Sequence, residues 1–260
     1  MSRFFKDLKK YGRYAIYSSK SALKTEVANS YLNWIWWILE PLCLMLIYVF
    51  VFGRMFKHKQ EYYNVFVFTA QAGWDFFSRS IRASVSIVKS NKSIVSKVYL
   101  PKYMLVMSNM MENAFKMFVC FGIVIVMMIF YKVPFTLHML EAIPVLLGLF
   151  LFTFGCATTL LHFGVFVEDF SKIINILLRF LFYLTGIFYS IEGNMPSPYS
   201  DILMTFNPMA VYLQGLRNCL IYGKHPNYVT LCVWTFIALL LSIFGVINIY
   251  RHENTYVKVI

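Results

Sequence analysis

The sequence predicts an all-α integral membrane protein: six transmembrane helices, an amino-terminal amphipathic interface helix, and short re-entrant helices between the fifth and sixth spans. Three observations predict this class. First, 59% of the 260 residues are hydrophobic and only 14% are charged, whereas a soluble domain carries about 25% charged residues. Second, several apolar runs reach the ~20 residues that a helix needs to cross a bilayer. Third, these runs are continuous, whereas a membrane barrel shows alternating segments of ~10 residues. A net charge of +12 would suggest nucleic acid in a soluble protein. Here it reflects Lys and Arg retained on the cytoplasmic side of a membrane. With no arginine-rich cluster or recognition motif, no nucleic-acid partner is expected.

Residues 4–24 open the chain as an amphipathic helix. Phe4, Leu8, Tyr11 and Ala15 recur at helical spacing, and Lys6, Lys9, Lys10 and Arg13 take other positions. Such a helix lies in the membrane interface with its cations near anionic headgroups. The first 30 residues lack the short apolar core and small-residue cleavage site of a signal peptide, so the first span is expected to act as its own insertion signal. Six spans follow, at 33–53, 64–88, 104–131, 142–167, 173–191 and 229–250. An even number puts both termini on one side. Segment 1–32 carries seven cations, and segment 79–102 carries Arg79, Arg82, Lys89, Lys92, Lys97 and Lys102. The alternate loops carry fewer: Arg54, Lys57 and Lys59, then Lys132, then Arg217 and Lys224. The positive-inside rule therefore places both termini in the cytoplasm. The chain reads as one transmembrane domain, 1–260: the interface helix in 1–32, spans one to five in 33–191, an outer region at 192–228, the sixth span at 229–250 and a cytoplasmic tail at 251–260.

The outer region is apolar but broken by prolines. Asn207-Pro208 reads as a helix start, an N-cap residue followed by proline at the first helical position. Met209, Leu213, Leu216 and Leu220 then form one stripe, and Gly223 is the stop signal. A re-entrant pair or a surface helix fits this region. Irregular backbone at membrane depth persists only beside protein or a water-filled cavity, which makes a gate at Asn207, Pro208, Leu213 and Arg217 the functional reading.

No HExxH, GxSxG, clustered Cys/His or phosphate-binding loop occurs, so no catalytic residue, metal site or bound cofactor is expected. His58, His138, His162, His225 and His252 are scattered, and His162 reads as a satisfied packing histidine. Cys43, Cys120 and Cys156 lie deep in apolar runs as small fillers. A Cys219–Cys232 bridge is open to the outer side, but nothing requires it.

Ionisable residues within spans carry more information, because a lipid-facing charge costs a few kcal/mol or more. Glu112 and Lys116, and likewise Asp75 and Arg79, stand four apart and are expected to pair along their helices. Glu40-Pro41 lies inside the first span. Pro41 removes a backbone hydrogen bond, and Glu40 is expected to meet freed polar groups or a partner across a subunit interface. Glu168, Asp169 and Lys172 border the fifth span. Segment 89–102, KSNKSIVSKVYLPK, reads as a short cytoplasmic helix in which Asn91, Lys92, Ile94, Val95, Val98 and Tyr99 face a cytoplasmic partner, ended by Pro101. Aromatics form 19% of the chain, more than interface belts need; faces of this kind suit sugars.

Three stretches together resemble the polysaccharide-exporting ABC-2 permeases, the membrane subunits that export O-antigen of lipopolysaccharide, capsule or wall teichoic acid chains. They are LKTEVANSYLNWIWWILEPLCLMLIYVFVFG (23–53), FTAQAGWDFFSRSIRASVSIVKSNKSIVSKVYLPK (68–102), and VEDF (167–170) with FNPMAVYLQGLRNCLIYG (206–223). The resemblance implies a homodimer around a channel in the cytoplasmic membrane. It implies two separate nucleotide-binding ATPase subunits holding ATP and Mg²⁺, and a glycan on a polyprenyl diphosphate lipid as cargo. It also implies a coupling helix between the second and third spans, with gate helices before the sixth. Arg13, Lys20 and Lys24 are the candidates for the diphosphate and lipid headgroups. Glu26 departs from the family, which carries a basic pattern there, and speaks against diphosphate binding at that position. The chain itself would break no covalent bond. The rival readings are a small-molecule ABC-2 efflux permease, a membrane glycosyl- or acyltransferase, which would group catalytic acids or histidines at one face, and a channel or ion-coupled carrier, which would work without an ATPase.

Overall fold

The amphipathic start of the chain forms a 27-residue helix, α1 (Ser2–Ala28), in the computed structural model, which describes residues 2–28, 31–55 and 60–259. Its apolar stripe turns inward: Ala15 is buried, Phe4, Leu8 and Tyr11 pack partly buried on the core, and Phe4 meets the Tyr103 ring at 5.2 Å. Lys57 and Lys59, assigned to the first outer loop, and His58 lie outside the described residues.

Ten further α-helices follow among the described residues, without a strand. They are α2 (Trp36–Tyr48), α3 (Tyr63–Ser90), α4 (Lys92–Val95), α5 (Lys102–Phe130), α6 (Ala142–Phe166), α7 (Phe170–Leu184), α8 (Ile191–Asn194), α9 (Tyr199–Phe206), α10 (Pro208–Leu220) and α11 (Tyr228–Val259). A 3₁₀ turn, Asn33–Ile35, leads into α2, and a π-helical stretch, Val49–Met55, continues it. A second 3₁₀ turn, Leu137–Glu141, leads into α6. Pro41 sits buried inside α2, where its ring nitrogen cannot donate to the carbonyl four residues earlier.

Helices occupy all six segments read as spans, but they are unequal. Four segments are long and apolar enough to cross a membrane: Trp36–Gly53, Lys102–Phe130, Leu137–Phe166 and Tyr228–Tyr256. α3 has the length, at 28 residues, yet carries Asp75, Arg79 and Arg82 near its middle. The fifth segment departs from expectation. α7 starts at Phe170 and stops at Leu184, only 15 residues, or about 22 Å at 1.5 Å per residue. The stop is set by tertiary structure. Gly186 adopts φ +67°, a left-handed conformation that glycine takes without steric cost, and its carbonyl is held by Arg217 at 2.9 Å.

The core is built where α3 packs on α5 and α6, and α6 on α11. Small residues let these helices approach closely, as in membrane helix pairs generally. A side chain on Gly245 of α11 would strike Thr158 and the backbone of Thr159 on α6. Ser242 of α11 donates to the Leu151 carbonyl of α6 at 3.2 Å. Asn113 of α5 donates to Ser80 of α3 at 3.1 Å within the core. All five cysteines are free, Cys219 buried and Cys232 exposed, so the Cys219–Cys232 bridge is not formed. His162 accepts or donates one hydrogen bond with Tyr256 at 2.8 Å and packs against Phe166.

α10 begins as its sequence suggests. Asn207 Oδ1 accepts from the backbone N–H groups of Met209 and Ala210, with Pro208 at the first helical position. Met209, Leu213 and Leu216 are buried against α3 and α6, and Gly223 turns the chain at φ +57°. Arg217 corrects the reading of it as an outer-loop cation. It is 2% exposed, donates to the carbonyls of Phe66, Gly186 and Ile187 at 3.2, 2.9 and 2.7 Å, and stacks 3.4 Å from the Phe66 ring centre. A rigid fork of donors suits three converging carbonyls. Arg217 thus nails α10 to α3 and to the turn after α7.

Candidate functional site: a charged groove and its supports

Where α2, α3 and α7 meet, a groove of about 490 Å³ opens, lined by Glu40, Tyr48, Gln71, Asp75, Arg79, Arg82, Arg179 and Tyr183 among others. The three helices explain the lining. Glu40 lies on the mid-α2 turn that contains Pro41. Gln71, Asp75, Arg79 and Arg82 recur on one face of α3 at spacings of three and four residues. Arg179 and Tyr183 do so on α7.

The ion pairing corrects one sequence expectation. Arg79 pairs with Glu40 across two helices at 3.1 Å, and the expected Asp75–Arg79 pair along α3 is not formed. Asp75 instead accepts from Gln71 Nε2 at 2.9 Å. The partner of Glu40 therefore comes from this chain's own α3. Arg82 and Arg179 are exposed and make no ion pair among the described residues. Three guanidiniums against two carboxylates leave the groove net positive, and two of its cations are free to meet a ligand. Aromatic rings flank it: Trp74 and Phe182 stand 5.6 Å apart, and Tyr48 and Phe182 6.2 Å. Such a surface combines hydrogen-bond donors with ring faces. It holds no activated nucleophile, and no acid–base pair is set up on a reacting position.

Beside the groove, Lys116 of α5 is held by two carboxylates, Glu26 of α1 at 2.7 Å and Glu112 at 3.0 Å. Trp37 Nε1 donates to Glu26 as well, at 3.2 Å. The Glu112–Lys116 pair was legible from its i,i+4 spacing. The role of Glu26 was not: its departure from a basic pattern is explained by a tie between α1, α2 and α5. Arg13, Lys20 and Lys24 are exposed on α1 and line neither this cluster nor the groove.

The segment between α3 and α5 forms a single helical turn, α4, with Ile94, Val98 and Tyr99 exposed. Val95 points inward and is buried, so it leaves the set of outward-facing residues. Asn91 donates to the Ile87 carbonyl at 2.8 Å and closes α3. The Tyr99 hydroxyl accepts from Arg3 at 2.6 Å and donates to Glu253 at 3.0 Å, and Arg3 pairs with Glu253 at 2.8 Å. Both ends of the chain and this segment therefore meet at one end of the bundle. The hydrogen bond that Arg3 donates to Glu253 raises the Arg3 pKa, and burial, then Glu253, raises that of the Tyr99 phenol. At the other end, two of the histidines scattered in sequence, His138 and His225, converge on Glu141.

Comparison with known proteins gives this architecture a family. The pattern of the ABC-2 type transporter membrane family matches residues 17–221. Among curated relatives, an O-antigen export system permease protein RfbA of Klebsiella pneumoniae is 25% identical over 224 residues, covering 86% of this chain and 85% of the relative. An RfbA of Myxococcus xanthus, also named an O-antigen export system permease protein, is 22% identical over 227 residues, covering 87% of each. The match runs through α2, the ion-lined face of α3, the α4 segment and the Arg217 buttress, and the chain belongs to the ABC-2 type transporter family of multi-pass membrane permeases, whose members work with an ATPase subunit.

Proposed function

We propose that this chain is the membrane subunit of an ABC exporter that moves polysaccharide, carried on a polyprenyl diphosphate lipid, across the cytoplasmic membrane. The observation that carries the reading is the similarity, over 86–87% of the chain, to permeases named for O-antigen export. The groove supports it: free guanidiniums suit phosphate and sugar oxygens, and flanking rings suit the C–H faces of sugars.

In this reading the six helical segments span the membrane as a single domain with both termini in the cytoplasm. Two copies form a homodimer, and the groove faces the path between them. Two separate ATPases bind ATP and Mg²⁺ and dock on the α4 segment through Asn91, Lys92, Ile94, Val98 and Tyr99. Arg13, Lys20 and Lys24 meet the lipid headgroup or diphosphate at the interface. Nucleotide-driven closure of the ATPases pushes the α4 segment. The Arg3–Tyr99–Glu253 cluster passes that push to α1 and α11. Asn207, Pro208, Leu213 and Arg217 hold the outer gate helices α9 and α10. Capsule and teichoic acid chains are cargo of the same chemical class.

Deleting the subunit and locating the lipid-linked glycan tests this reading. The expected result is loss of surface glycan with build-up of lipid-linked precursor on the cytoplasmic side. Normal surface glycan would overturn it and favour small-molecule efflux. Loss of glycan without any precursor would point to a biosynthetic enzyme.

A further inference from the structure

At the end of the bundle opposite the chain termini, residues from two connections converge. His138 and Glu141 stand three apart on the 3₁₀ turn before α6, where residues i and i+3 eclipse and present their side chains together. His225 comes from the turn between α10 and α11. His138 Nδ1 and His225 Nδ1 each lie 2.9 Å from a different oxygen of Glu141. The two imidazole rings stand 4.3 Å apart, edge to face. One ligand-type atom from each of the three residues falls within 4.8 Å of the others.

We propose that His138, Glu141 and His225 bind one divalent transition-metal ion, with zinc the best fit. Two imidazoles and one carboxylate form a three-ligand zinc set with an open fourth position. Tetrahedral zinc with bonds of about 2.0–2.1 Å spaces its ligand atoms by about 3.3 Å; the two imidazoles, each now on its own oxygen of Glu141, need only draw onto a shared centre from within 4.8 Å. The surroundings suit a metal as well. Tyr228 donates to Glu141 Oε2 at 2.6 Å, and a hydrogen bond of this kind orients a ligating carboxylate. His225 is exposed and His138 half-buried, which leaves an entry path. All-oxygen ions such as calcium or magnesium suit this nitrogen-rich set poorly. The bound ion joins the 3₁₀ turn, and through it α6, to the turn that follows α10. This inference does not depend on the proposed export.

The test uses the full-length chain, purified on a tag without histidine and stripped with chelator. Zinc titration followed by elemental analysis is expected to give one zinc per chain at micromolar or tighter affinity. Cobalt(II) in its place is expected to show the intense visible bands of a tetrahedral site. His225→Ala and Glu141→Gln should each weaken binding more than tenfold. Tyr228→Phe keeps all three ligands and should retain stoichiometric zinc at lower affinity. Because His225 lies on an exposed turn, its variant is expected to keep the wild-type elution profile. No zinc bound by the stripped wild-type chain, or undiminished binding in a His138→Ala/His225→Ala double variant, would overturn the proposal.

Discussion

The two sides of this bundle are built differently. On one side α6 and α11 lie close together: Gly245 faces Thr158, and Ser242 reaches across to the Leu151 carbonyl. On the other side α2 and α7 bury little. Leu46, Ile47 and Phe50 of the first segment and Ile173, Ile176 and Phe180 of α7 are exposed, and between these helices runs a groove lined by two carboxylates and three guanidiniums. In a membrane, close packing of small residues supplies helix association, whereas an intramembrane charge is retained where it meets protein, water or cargo. In the proposed exporter the first side is scaffold, and the second is the working face.

Substitutions can break this contrast, and their effects should fall in a definite order. Arg217→Met should cost the most stability. It strands the carbonyls of Phe66, Gly186 and Ile187, and a buried unsatisfied group costs about 1–3 kcal/mol. Thermal unfolding of the purified chain should show a large loss, and Arg217→Lys should not restore it, because one ammonium cannot replace the fork. Gly164→Ala comes next. Its new methyl would strike the Val85 backbone carbonyl of α3, and overpacking of this kind costs roughly 1–3 kcal/mol. Gly122→Ala is the matched control: nothing lies within 4 Å of its added carbon, so it should be neutral or slightly stabilising. Equal losses at Gly164 and Gly122 would contradict the packing assignment. Tyr99→Phe should have the smallest effect on stability, about 1 kcal/mol or less, because its two hydrogen bonds, with Arg3 and Glu253, are exposed. If the α4 segment transmits force, the variant should still lower export per ATP hydrolysed by a few-fold, measured with the assembled transporter.

The helices were legible because apolar runs of membrane length override local propensity, and the start of α10 was legible because Asn207-Pro208 carries its own capping chemistry. Glu112–Lys116 followed from helical spacing alone. What escaped depends on contacts between distant segments. Glu40 and Arg79 are 39 positions apart on different helices, and Arg3 and Glu253 are separated by 250. The convergence of Arg82 and Arg179 on one groove follows from how α3 and α7 pack. α7 ends early because Arg217, far along the chain, holds the turn at Gly186, although apolar residues continue beyond it. A cation in a loop-like stretch reads as solvated, and only the three carbonyls around it show otherwise.

The central claim is that the ion-lined face carries the cargo. Its most direct test is surface polysaccharide in cells carrying Glu40→Arg, Arg79→Glu or both, at matched membrane levels. The pair is partly exposed, at 53% and 35% for the two side chains, so breaking it should cost about 1 kcal/mol or less and leave the protein in the membrane. The account predicts a loss of surface glycan of at least tenfold in each single variant and substantial recovery in the double exchange. Wild-type export from both single variants would contradict it.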